Sequence, residues 1–219
     1  MRGIERMFWI LRTRLATAAL LSALSIATSI AQDNKEKADS NEPPEARTVP
    51  RQLIRPGSMT GWETDDRPSM GWTVDGERLI GGVDSQPLVS DWSFGDFTLK
   101  LAWHTRWDGK LEIRLERLPD RKGSVIVSLN EGKQSGRVTD GEKEAAAGRP
   151  LEPMANDYHR TRIERHGDHL KVTTDGEVAA DVKIPGSAEH VRYGLTLHIP
   201  QGVALVKEMT VTEPLGEPL

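Results

Sequence analysis

The stretch Asp96 to Arg117, DFTLKLAWHTRWDGKLEIRLER, decides the fold. Phe97, Leu99, Leu101 and Trp103 occupy alternate positions, with Thr98, Lys100, Ala102 and His104 between them. Successive side chains of a strand point to opposite faces, whereas a helical stripe recurs every three or four residues. Leu111, Ile113 and Leu115 then alternate with Glu112, Arg114 and Glu116. The spacing predicts two strands joined by a turn at Trp107-Asp108-Gly109, each with one apolar and one polar face. Pairing them lines charged groups along one surface of an antiparallel sheet, where a polar ligand finds partners.

Outward from this stretch the same chemistry repeats. GWTVDGERLIGG, from Gly71, predicts a hairpin about Asp75-Gly76, and VIVSL, Val125 to Leu129, a short apolar strand. TRIERHGDHLKVTTDGEVAADVKI, from Thr161, predicts three strands turning at His166-Gly167-Asp168 and Asp175-Gly176. VRYGLTLHI and VALVKEMTVTE predict two more, while EKEAAAG, Glu142 to Gly148, is the one segment that favours a helix. Many short strands at regular spacing argue an all-β sandwich or jelly roll.

The N-terminus has the layout of a secretory signal. Arg2, Arg6, Arg12 and Arg14 accompany an apolar run from Leu15 to Ile30, and Ser29 and Ala31 stand at the minus-three and minus-one positions of a cut before Gln32. The run falls short of the roughly 20 residues of a spanning helix, so no membrane span is expected after cleavage. Three parts follow: a signal peptide over 1–31, a flexible charged and Pro-containing linker over 32–55, and one domain over 56–219. From Gly61 to Glu213 the domain has about 150 residues, an ordinary single-core size.

No cysteine occurs in the 219 residues, which excludes a disulfide scaffold and a lipid anchor on Cys and leaves folding to core packing. Without residues 1–31, 25 basic side chains face 32 acidic ones, a balance of −7 that disfavours nucleic acid as a partner. There is no phosphate-binding glycine loop, no nucleophile elbow and no calcium loop. His166-x-x-His169 spans a tight turn without further ligands, so neither a metal nor any other cofactor is expected.

The order of segments resembles the DUF1080 family, also called the 3-keto-disaccharide or 3-keto-glycoside hydrolase family. The resemblance runs from about Gly61 to Glu213. It includes the opening Trp segment with its DG turn, the D-F-x-L-x-L-x-W strand at Asp96 to Trp103, and DGKLEIR in place of N-S-G-I-x-x-R, with Asp108 in the Asn place and Arg114 in the Arg place. NDYHRTRIERHGDHLKVTTDGEVAADV is similar to the family's W-N-x-x-x-I…G-x-x-I…N-G hairpin series, and GLTLH to its G-L-Q-x-H, so that Gly194, Leu195 and His198 match. The resemblance implies a bacterial secreted concanavalin A-like jelly roll acting on glycosides. Departures bear on the chemistry: Val125 and Val127 replace a Glu-x-Gln pair, Asn130 stands near the family's Asp, Thr196 replaces Gln, and LVKEM replaces F-R-N-I.

Glu112, Arg114, Glu116, His104 and His198 are expected to share one concave sheet face. Glu112 and Glu116 are candidates for the paired carboxylates of glycoside cleavage, and His198 for a proton shuttle or hydrogen-bond partner. Arg114 is a candidate for forking two hydrogen bonds to sugar hydroxyls, beside Asp108, His104, Asn130 and Thr196. An alternating Glu-Arg-Glu is equally an ordinary solvated, self-paired strand face. Of six Trp, one of them in the leader, Trp62, Trp72, Trp92 and Trp103 fit core positions. Trp107, at the turn, either caps the sandwich edge or walls a ligand cleft. The chain is thus expected to be a secreted or periplasmic carbohydrate-active protein, a divergent 3-keto-glycoside hydrolase. A non-catalytic carbohydrate-binding module and a structural or protein-interaction sandwich at the cell surface are the alternatives.

Overall fold

The computed structural model describes residues 50–63, 71–119, 123–131, 133–152, 157–184 and 191–214. The signal peptide and most of the linker expected from the sequence lie outside them. Alternating apolar residues make fourteen strands, and no helix occurs among the described residues. In chain order the first five are β1 (Arg51–Gln52), β2 (Trp62–Glu63), β3 (Thr73–Asp75), β4 (Arg78–Gly82) and β5 (Leu88–Phe94). Next come β6 (Phe97–Arg117), β7 (Ser124–Glu131), β8 (Gln134–Asp140), β9 (Lys143–Ala146) and β10 (Arg149–Pro150). The last are β11 (His159–His166), β12 (His169–Thr174), β13 (Glu177–Lys183) and β14 (Tyr193–Thr212).

Two long strands carry the architecture. β6 and β14 run antiparallel from Tyr193↔Arg117 to Thr212↔Thr98. The N-terminal half of β6 continues through β11, β12 and β13, and the C-terminal half of β14 beside it pairs with β4 and β1. The C-terminal half of β6 continues through β7 and β8, and the N-terminal half of β14 pairs with β5. One hydrogen-bonded sheet is thereby folded over into two layers, crossing near Arg106 to Lys110 of β6 and Ile199 to Val203 of β14. Their inner faces meet where a Cβ on Gly136 of β8 would lie 2.4 Å from that of Ala179 of β13, and Ser135 Oγ of β8 stands 3.2 Å from Thr174 Oγ1 of β12. This is a jelly-roll β-sandwich.

The expected phase of β6 holds on the inner face. Phe97, Leu99, Leu101, Trp103, Leu111, Ile113 and Leu115 are all buried in the core. Ala102, on the opposite face, is buried too, lying in register between the long side chains of Arg160 and Lys207. The buried indoles use their N–H groups: Trp62 donates to the Leu53 carbonyl, Trp72 to that of Gln86, and Trp103 to Thr161 Oγ1, at 2.7, 2.7 and 2.8 Å. Trp92 is only half-buried. Asp96, which opens the decisive stretch, accepts from Arg165 and from the Gly167 amide, each at 2.9 Å, and so ties the start of β6 to the β11–β12 turn.

Four expectations are corrected. Trp107-Asp108-Gly109 is no hairpin turn: β6 runs straight through it as a bulge in which Trp107 and Asp108 have φ of 55° and 53°. Consecutive left-handed residues serve a tight turn or a bulge equally well, and the partner strand decides which. For the same reason the two C-terminal segments are one strand, β14, with irregular register about Gln201. Glu142 to Gly148 makes no helix. Asp140 pairs with Lys143 across a two-residue turn and Ala145 and Ala146 end β9, since a segment of seven residues cannot offset helix nucleation. Leu53 and Ile54, assigned to the linker, are buried in the core. The hairpin at Asp75-Gly76, the β7 strand and the β11–β12–β13 series form where expected.

Candidate functional site

Burying Leu111, Ile113 and Leu115 turns Lys110, Glu112, Arg114 and Glu116 to the outer face of the second layer. Register then sets their neighbours: Glu112 lies between Ser128 of β7 and His198 of β14, Arg114 between Ile126 and Thr196, and Glu116 between Ser124 and Gly194. Three of the expected residues meet there. Glu112 Oε2 accepts from Arg114 Nε at 3.2 Å and Nη2 at 2.9 Å. His198 Nδ1 is 3.0 Å from the same oxygen and 2.6 Å from Arg114 Nη2. Lys110 Nζ adds an ion pair at 3.0 Å to the other oxygen, Oε1.

Glu112 is only 8% exposed. Burial alone pushes its carboxyl up, but the contacts with His198, Arg114 and Lys110 outweigh this and hold its pKa down to about 2. At neutral pH it is an anion fixed by cations, and its chemical role is to orient Arg114 and Lys110. Lys110 was missed in the sequence, although its place two residues before Glu112 puts it on the same face.

The other candidates are placed as follows. Thr196 is 1% exposed, and its Oγ1 has no hydrogen-bond partner among the described residues. Glu116 lies on the same face one step beyond Arg114 and has an interaction of its own. Asn130 Nδ2 donates to Thr105 Oγ1 at 2.7 Å and to the Gly109 carbonyl at 2.8 Å, so its amide braces the bulge. On that bulge Trp107 is 79% exposed, with Asp108 exposed beside it. His104 is not brought to the cluster. It sits on the N-terminal half of β6, where its Nδ1–H donates to the Asp157 carbonyl at 3.2 Å and its ring lies 6.0 Å from that of Tyr158.

No family model and no curated protein sequence matches this chain. Solved structures do match its fold. A "putative glycosyl hydrolase" from Parabacteroides distasonis superposes with a TM-score of 0.60 at 13% identity, covering 75% of this chain and 93% of that one. The carbohydrate binding module CBM66 from Bacillus subtilis gives 0.55 at 19%, covering 70% and 96%. The β-glucanase of Bacillus licheniformis gives 0.53 at 10%, covering 76% and 97%. At such identities the likeness establishes architecture: the chain is a concanavalin A-like jelly roll, the fold that the resemblance to the 3-keto-glycoside hydrolases implies.

Proposed function

We propose that this protein is exported and binds carbohydrate on the outer face of its second layer, as a divergent relative of the 3-keto-glycoside hydrolases that has kept recognition and lost paired-carboxylate cleavage. The observation that carries this reading is the Lys110–Glu112–Arg114–His198 cluster, a preoriented polar group on a jelly-roll face. The likeness in fold to the carbohydrate binding module CBM66 supports it by analogy. Two facts speak against Glu112 and Glu116 as acid and base. Four positions apart on one strand, their Cα atoms are about 13 Å apart, so the carboxyl groups reach the roughly 5 to 9.5 Å of glycosidase pairs only by leaning toward each other, and that of Glu112 is held instead by Arg114 and Lys110. A carboxyl with a pKa of about 2 also has no proton to give at neutral pH.

The contact between His198 and Glu112 favours one second reading, hydrolysis with His198 moving the proton. Calorimetry and product analysis with a panel of ordinary and 3-keto glycosides separate the two. Binding without product, weakened about tenfold or more in Arg114→Ala, is the expected result. Product formation lost in His198→Ala selects hydrolysis, and a panel without a single binder rejects both. Export is checked by sequencing the N-terminus of protein from its native host: Gln32 is expected, and intact Met1 in most molecules rejects it.

A further inference from the structure

On the carbohydrate reading above, one exposed side chain of β6 stands outside the cluster without an account. Trp107 is the most exposed large apolar side chain among the described residues, at 79%. Core packing does not explain it. Its backbone has a φ of 55°, and Asp108 follows at 53°, a left-handed pair that a bulky residue rarely adopts. Glycine would fit there without strain. The surroundings impose the conformation: Asn130 Nδ2 donates to Thr105 Oγ1 at 2.7 Å and to the Gly109 carbonyl at 2.8 Å, so one amide ties the two ends of the bulge together. On the other side β14 closes in, since a Cβ on Gly109 would lie 2.6 Å from the Val203 carbonyl oxygen. Backbone strain that the surrounding structure over-determines in this way clusters at ligand sites. Here it fixes the base of an indole that the core does not use.

A sugar ring is the occupant that the neighbourhood fits. A pyranose offers a face of C–H groups to an indole, and the hydroxyls around its rim need polar partners. Asp108, exposed beside Trp107, supplies a carboxylate, and Lys110 with Gln201 opposite it in register continues the polar surface toward Glu112. Lys110 already belongs to the cluster through Glu112 Oε1. Distance then sets the size of the ligand. At about 3.3 Å per position, five positions of β6 put the Cα atoms of Trp107 and Glu112 up to about 16 Å apart, less what the bulge takes up. A pyranose with its hydroxyls, built from bonds of about 1.5 Å, measures about 5 to 6 Å. One ring cannot reach both. We infer that Trp107 is a stacking subsite for a distal sugar, so that the ligand is a glycan chain of about three or more units laid along β6, not a monosaccharide or disaccharide.

The test extends the glycosides of the panel above into ladders of one to six units and measures each by calorimetry. Affinity should rise about tenfold or more between two and four units and then level off. Trp107→Gly should remove that rise and leave the affinity for the shorter ligands unchanged. Because glycine adopts a positive φ freely, the same variant should melt no lower than the wild type. Arg114→Ala should weaken every length. Equal affinity across a ladder overturns this inference alone, as does a rise that Trp107→Gly keeps. A clearly lower melting temperature of Trp107→Gly overturns it too, by showing that the ring caps the sandwich edge. Failure of every ladder at every length overturns the carbohydrate reading with it.

Discussion

Exchanging the Glu112 carboxylate for an amide of the same shape leaves Lys110 and Arg114 without their common anion on a half-buried face. The Glu112→Gln variant is expected to be less stable at neutral pH by about 1–3 kcal/mol. The pH dependence has a definite sign. The folded pKa, about 2, lies below the ordinary 4.5, so the stabilisation from ionised Glu112 is complete above 4.5 and fades as pH falls toward 2. Thermal melts of both proteins from pH 7 down to pH 3 should therefore converge. A gap that stays constant throughout would mean that the cluster does not hold Glu112 ionised. Much of this cluster was legible from residues two apart on one strand, Glu112 and Arg114, together with the Gly194-Leu195-Thr196-Leu197-His198 match. His104 was misplaced because it shares the phase of Glu112, and phase gives the face of a strand but not the layer. The strand changes layers between them at the Trp107 bulge.

At the scale of the element, β6 makes the sandwich because its odd-numbered positions are apolar through both layers. Leu101→Asp and Ile113→Asp each set a charge among fully buried side chains and should abolish cooperative folding. Lys100→Asp changes an exposed position of the same strand and should shift stability by about 0.5 kcal/mol or less. Melts of the three variants read the phase of both halves, and equal losses in all would put the faces the wrong way round. The strands were legible because period-two alternation is a local signal. Their continuity was not, because it depends on contact between segments far apart in sequence. Gly202 of β14 is the clearest case: a Cβ there would lie 2.6 Å from the Gly109 Cα, so the two bulges fit against each other only as glycines. Nothing in either segment alone announces that pairing. The β9 strand shows the same limit, since its alanines favour helix locally and hydrogen bonds to β8 override them.

For the whole molecule, the open question is where the folded domain begins, and a chain without cysteine can answer it only through packing. The sequence puts the boundary at residue 56, because Arg51, Arg55, Pro50 and Pro56 make the surrounding stretch look like linker. Two apolar residues inside it decide otherwise. Leu53 and Ile54 are buried in the core, the Leu53 amide donates to the Met209 carbonyl at 2.8 Å, and its carbonyl accepts the Trp62 indole. β1 just before them pairs with β14 through Arg51↔Val211 and Gln52↔Thr210. Burying two such side chains contributes about 1.5–3 kcal/mol each, a large share of the stability of an ordinary domain. A chain starting at Pro50 should therefore fold cooperatively, while one starting at Pro56 should melt at least about 10 °C lower or not fold. The second truncation also exposes the edge of β14 that β1 covers, so it should associate more readily at high concentration, a tendency that light scattering will show. Equal melting temperatures for the two chains would return residues 51–54 to the linker and place the start of the core where the sequence put it.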